Sequence, residues 1–83
     1  DTSATGTVQI TIDVRGMLCP LPVLKARKRL KTMENGEILQ VIATDPAAVI
    51  DFPHFCNEAG HELLESRQDN GELIFVIRKT HDT

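Results

Sequence analysis

Tryptophan and tyrosine are absent from the 83 residues, and phenylalanine occurs only three times. Single-stranded nucleic acid is held largely by bases stacked on aromatic rings. A net charge of −3 also gives no broad cationic footprint for phosphates. Direct nucleic-acid binding is therefore not expected. Cysteine is scarce: Cys19 and Cys56 are the whole set, where a small disulfide-stapled chain needs more. Reduced thiols and a cytoplasmic setting fit that count. No apolar run approaches the ~20 residues of a bilayer span, so no membrane association is expected. Asp1 to Gly6 has neither the basic nor the apolar region of a signal peptide, and reads as a flexible tail, as does 81–83. One domain, residues 7–80, is what this length accommodates.

Acidic residues are also missing from one stretch. Arg15 to Lys31 holds six basic residues (Arg15, Lys25, Arg27, Lys28, Arg29, Lys31) and no acid, whereas Glu34 to Glu72 holds nine acids against Arg67 alone. Such polarity can steer a partner of complementary field.

What is present reads as alternating elements. Thr7 to Val14 places Val8, Ile10, Ile12 and Val14 on one face, the period-two pattern of a half-buried strand. Val23, Ala26, Leu30 and Met33 then recur at helical spacing, with Leu24 widening the stripe and Asn35-Gly36 as the stop. Ile38 to Ala43 is nearly continuous apolar, a strand with little solvent on either face. Thr44-Asp45-Pro46 reads as a helix start, and Val49, Phe52, Cys56 and Ala59 share one stripe. Pro53 interrupts that stripe, so a short turn is expected first and a regular helix after Pro53, ending at Gly60. His61 to Gln68 looks like an edge strand, Asp69-Asn70-Gly71 is a hairpin signal, and Leu73 to Ile77 is a strong strand. The order β-α-β-α-β-β predicts an α/β (α+β) two-layer sandwich: a four-stranded mixed sheet with both helices on one face and a wetter opposite face.

Cys19 sits where the first strand has ended and the first helix begins, the strand edge where open α/β folds place their sites. With Cys19 as N-cap, Pro20 and Pro22 fall in the first turn, where neither forfeits a helix bond. A thiolate there feels the positive end of the helix dipole, and Arg15 or Lys25 would help to lower its pKa. It could attack a persulfide or disulfide and hold the added sulfur. A free cysteine is also often a small buried hydrophobe, and residue logic alone leaves the two readings open.

The other candidates are weaker. Cys56 lies on the apolar stripe, where packing is favoured over a Cys19–Cys56 disulfide. A metal held by His54, Cys56 and His61 is disfavoured because no second local ligand pair exists. His54 and His61 fit local hydrogen bonding better than catalysis. Asp13 can pair with Arg15 or cap a loop amide. The run Lys25, Arg27, Lys28, Arg29 and Lys31 is either a solvated helix face or a docking surface for an acidic protein. A non-catalytic interaction module and a thiol-disulfide redox protein remain alternatives at this point.

The stretch from Ile12 to Pro22, Ile-Asp-Val-Arg-Gly-Met-Leu-Cys-Pro-Leu-Pro, resembles the signature of the TusA/SirA-like sulfur-carrier family. Thr44 to Ala47, Asp51 to Cys56 and Phe75 to Lys79 match it too, so the resemblance spans about residues 8 to 79. It implies the same two-layer sandwich. It also implies that Cys19, presented by Arg15, Gly16, Pro20 and Pro22, accepts sulfur as a persulfide from a cysteine desulfurase or rhodanese-like donor. The sulfur would pass to an acceptor protein, for tRNA thiolation, dissimilatory sulfur metabolism or molybdenum-cofactor supply. The implied protein is a sulfurtransferase-type carrier within a relay rather than a free-standing enzyme. It is expected to be monomeric and to need no cofactor beyond the persulfide itself, with no metal.

Overall fold

The alternating and continuous apolar runs become the strands of one sheet in the computed structural model, which describes residues 9–80. Both expected tails, and Thr7 and Val8 of the first expected strand, lie outside the described residues. The elements are β1 (Gln9–Val14), α1 (Leu21–Lys31), β2 (Ile38–Ala43), α2 (Ala48–Ala59), β3 (Glu62–Asp69) and β4 (Glu72–Arg78). The sheet order is β1-β2-β4-β3. β1 and β2 pair in parallel, and the other two pairings are antiparallel.

Register decides which residues meet the helices. Val14 pairs with Ala43, which pairs with Leu73, and Val41 pairs with Phe75. All five are buried, joined by Ala26, Leu30 and Met33 from α1 and its end and by Phe52, Phe55 and Cys56 from α2. Phe52 stacks on Phe75 with ring centroids 4.7 Å apart. Both helices therefore cover one face, as expected. The opposite face is charged along β3, but its centre is drier than expected. Ile74 is buried there beside its cross-strand partner Ile42, on the face that neither α1 nor α2 covers. The turn at Asn70 and Gly71 has φ of 51° and 80°, the left-handed pair that a two-residue hairpin needs.

Two helix expectations are corrected. α2 runs unbroken through Pro53, its sixth residue. Proline removes one N–H, the one that would have reached Val49, while its ring fixes a helix-compatible φ. Phe52, Phe55 and Cys56, on both sides of it, bury against the sheet and hold the helix together. In α1 the inward residues are Pro22, Ala26 and Leu30. Leu24 is 49 % exposed, pointing away from the core, and helix geometry ends at Lys31, before Asn35-Gly36.

Lys79, just past β4, is buried, and its Nζ donates to the Met33 carbonyl at 2.5 Å. A cation is thus placed beyond the last turn of α1, where the helix dipole favours one.

Candidate functional site

The loop between β1 and α1 is fixed by bonds from three directions. Gly16, at φ 82°, uses the left-handed conformation that favours glycine, and its N–H donates to Thr44 Oγ1 at 2.9 Å. Arg15 donates to Asp13 Oδ2 at 2.8 Å and to Glu72 Oε2 at 2.9 Å, and its own N–H reaches Asp13 Oδ1. Asp13 thus fills both roles foreseen for it, pairing with Arg15 and capping a loop amide. The Arg15 guanidinium holds the Asp13 carboxyl down to about 2. The third tie is Asp45. Its Oδ2 accepts the Cys19 N–H at 2.6 Å while its Oδ1 accepts the Ala47 N–H at 3.1 Å. One carboxylate therefore joins the cysteine loop to the start of α2.

Cys19 is exposed and Cys56 buried, and both are free thiols. Burial pushes the Cys56 thiol up to about 11, consistent with its packing role. Cys19 is not the N-cap. Pro20 occupies that position after a cis Cys19–Pro20 bond, and Pro22 is the second helical residue. The Leu21 N–H donates to Leu18 O at 2.9 Å and not to the sulfur. Pro22 is buried, so that proline has a packing reason that its spacing did not disclose.

The electrostatics also reverse the expectation. The Cys19 thiol is pushed up, first by a side-chain hydrogen bond with Asp51, then by desolvation and by the negative charges of Asp51 and Asp45. A carboxylate that accepts from the thiol favours its protonated form. Arg15, expected to help the thiolate, spends its charge on Asp13 and Glu72.

A groove of about 260 Å³ runs between the helices, lined by Cys19, Pro20, Val23, Asp51, His54, Phe55 and Glu58. Asp51, His54 and Glu58 lie at i, i+3 and i+7 on α2, which puts them on one helical face. The thiol therefore shares its groove with the acidic face of α2, while Lys25 and Lys28 line another hollow with Met17, Leu21 and Leu24. Lys25, Lys28 and Arg29 line a separate hollow with Ile12 and Thr32, over β1 at the sheet edge. Arg27 and Lys31 are exposed on α1 as well. The sequence marks Asp45 only as part of a helix start and His54 only for local hydrogen bonding, and with Pro53 read as a break nothing in it points to Asp51 or Glu58 as parts of a site. The helical spacing of the three groove residues is a legible signal once α2 is allowed to pass through Pro53. Among the described residues, no three His, Cys, Asp or Glu side chains gather to hold a metal ion, and no helix is long and apolar enough to cross a membrane.

The family described as Sulfurtransferase TusA matches residues 10–79. The chain is 46 % identical over 69 residues to a protein of Allochromatium vinosum named sulfur carrier protein TusA, covering 83 % of this chain and 91 % of that one. It is 41 % identical over 76 residues to a protein of the same name from Pseudomonas putida, covering 92 % and 95 %. In structure it is similar to a SirA-like protein of Desulfitobacterium hafniense, with a TM-score of 0.76 and 28 % identity, covering 87 % of this chain and 99 % of that one.

Proposed function

Since the chain belongs to the TusA sulfurtransferase family, we propose that it is a sulfur carrier, with Cys19 receiving sulfane sulfur as a persulfide and handing it to an acceptor protein. The observation that carries this reading is the exposed Cys19 thiol, lining a groove and held there through its backbone N–H by Asp45.

The chemistry balances without a cofactor. The Cys19 thiol gives its proton to solvent, and the thiolate attacks the outer sulfur of a donor Cys-S-SH. A bond forms between Cys19 Sγ and that sulfur, the donor S–S bond breaks, and the donor cysteine leaves as thiolate. The acceptor cysteine repeats the exchange with Cys19-S-SH. Nothing is oxidised or reduced overall. A cysteine desulfurase or rhodanese-like protein is the donor in this reading, and tRNA thiolation or dissimilatory sulfur metabolism is the destination. The protein works in the cytoplasm as a monomeric relay member. The exposed cations Lys25, Arg27, Lys28, Arg29 and Lys31 make no ion pair among the described residues, which supports their use as a docking face for an acidic partner surface.

The test is a mass measurement. Incubation with a cysteine desulfurase and cysteine adds one sulfur, about 32 Da, to the wild type and to Cys56→Ser, and nothing to Cys19→Ser. Loading that survives Cys19→Ser and vanishes in Cys56→Ser overturns the assignment.

A further inference from the structure

The groove beside Cys19 is asymmetric in charge. Its α1 wall, Pro20 and Val23, carries none, Phe55 supplies more apolar surface, and α2 contributes Asp51, His54 and Glu58; no Lys or Arg lines it. Asp45 stands behind the cysteine, its carboxylate already engaged by two backbone N–H groups. Arg15, the cation nearest in sequence, is held by Asp13 and Glu72. At about 260 Å³ the groove falls below the ~300–1,000 Å³ of small-molecule sites, and suits a side chain better than a cofactor. It offers an apolar bed beside two carboxylates. That is the surface on which a lysine or arginine lies, its stem on hydrocarbon and its head at the acid.

We propose that the groove receives a partner's reactive-cysteine segment through a Lys or Arg next to that cysteine, with Asp51 and Glu58 as the residues that select it. The proposal rests on the reading of Cys19 as the sulfur-accepting thiol. It adds a second polarity to docking: the partner is acidic where it meets α1 and basic beside its own sulfur. The arriving cation also offsets the carboxylate field that keeps Cys19 protonated, so the thiol is activated when the partner is seated. The isolated carrier keeps a less reactive sulfur.

The experiment uses small symmetric disulfides as probes on the Cys56→Ser protein: cystamine (a dication), 2-hydroxyethyl disulfide (neutral) and 3,3′-dithiodipropionate (a dianion). In each, the Cys19 thiolate attacks one sulfur, the probe S–S bond breaks, and one probe thiolate leaves as the mixed disulfide forms. Each rate is divided by that of the same probe with 2-mercaptoethanol, which removes the probes' own differences in leaving-group pKa. On that scale cystamine is expected to react about tenfold faster than the dianion at low salt, with the neutral probe between them. The ratio of two probes at one pH cancels the thiolate fraction, so a change in thiol pKa alone does not move it. Asp51→Asn with Glu58→Gln should bring the ratio to within about twofold, and Glu58→Gln alone should give an intermediate value if the double variant folds poorly. Glu62→Gln with Glu65→Gln, the same change in net charge on β3, should leave it unchanged. Equal referenced rates for the three probes, a dianion faster on that scale, or a ratio indifferent to Asp51 and Glu58 overturns the proposal. Failure of the carrier reading shows separately, as no persulfide mass gain on the wild type, because the probe rates need no sulfur donor.

Discussion

The Asp45 carboxylate grips Cys19 by its backbone N–H at 2.6 Å and, with its other oxygen, grips Ala47 at 3.1 Å. The reactive loop and the first turn of α2 are thus parts of one hydrogen-bonded unit, which sets Cys19 beside Asp51 and His54. Asp45→Ala leaves two amides without their acceptor and should cost about 1–2 kcal/mol of unfolding free energy in urea. Asp45→Asn keeps one acceptor oxygen and should fall between. Hydrogen exchange at the Cys19 amide should accelerate in Asp45→Ala while amides in β4 keep their protection relative to global unfolding. Unchanged exchange at Cys19 would show that the loop holds without this tie.

Asp13 and Arg15 supply a pH dependence of defined sign. The carboxyl titrates at about 2 in the folded chain, below its ordinary 3.8, chiefly because Arg15 donates to it. A lowered folded-state pKa means that the contribution is present above about 3.8 and is lost as pH falls toward 2. Both side chains are about half exposed, so the effect on stability is small. Asp13→Asn should flatten the wild-type decline over that window and leave the curve above pH 5 unchanged in slope. An NMR titration placing Asp13 near 4 would remove the basis for this prediction.

The strands were legible because each carries its own period. Val14, Val41 and Phe75 declare their inward face by alternation or by an unbroken apolar run, and Asn70-Gly71 declares its hairpin. The groove was not legible, for two physical reasons. Pro53 signals a break when neighbours are ignored, yet Phe52, Phe55 and Cys56 bury enough surface to carry α2 through it, and only a continuous α2 aligns Asp51 with His54 and Glu58. The charge around Cys19 is also tertiary in origin. Along the chain the cysteine lies in an acid-free stretch from Arg15 to Lys31, while in space its neighbours are acids from the next loop and helix. Sequence distance thus pointed to a lowered thiol pKa where the fold raises it.

Lys79 ties the end of the sheet to the end of α1. Its ammonium donates to Met33 O in a buried setting, while its backbone N–H and carbonyl bond Glu37 and Gly36 at 2.9 and 2.7 Å. Lys79→Met keeps most of the stem and removes the donor, leaving a buried carbonyl short of a partner. The expected loss is about 1–3 kcal/mol in urea unfolding. The thermal midpoint should drop accordingly, with Cys19 alkylation in the folded protein unaffected. A neutral or stabilising outcome would mean that the buried charge costs as much as its bond returns.

Asp51 is the largest influence holding the proton on Cys19. The carboxylate accepts from the thiol and adds its negative charge nearby, and both effects hold the proton on sulfur. Because the thiolate alone reacts, iodoacetamide alkylation of Cys56→Ser should follow a pH profile displaced to higher pH than that of an unperturbed thiol. Asp51→Asn removes the charge and replaces the acceptor by a weaker one, so its midpoint should move down. At pH 7, below both midpoints, each unit of that displacement raises the thiolate fraction about tenfold. The alkylation rate gains somewhat less, because nucleophilicity falls with pKa. Asp45→Asn, which keeps an acceptor for the Cys19 N–H, should move the midpoint the same way by a smaller amount, since the Asp45 charge acts on the thiol more weakly than Asp51. A profile in Asp51→Asn that coincides with the parent, or shifts up, would show that the raised thiol owes nothing to the α2 carboxylate.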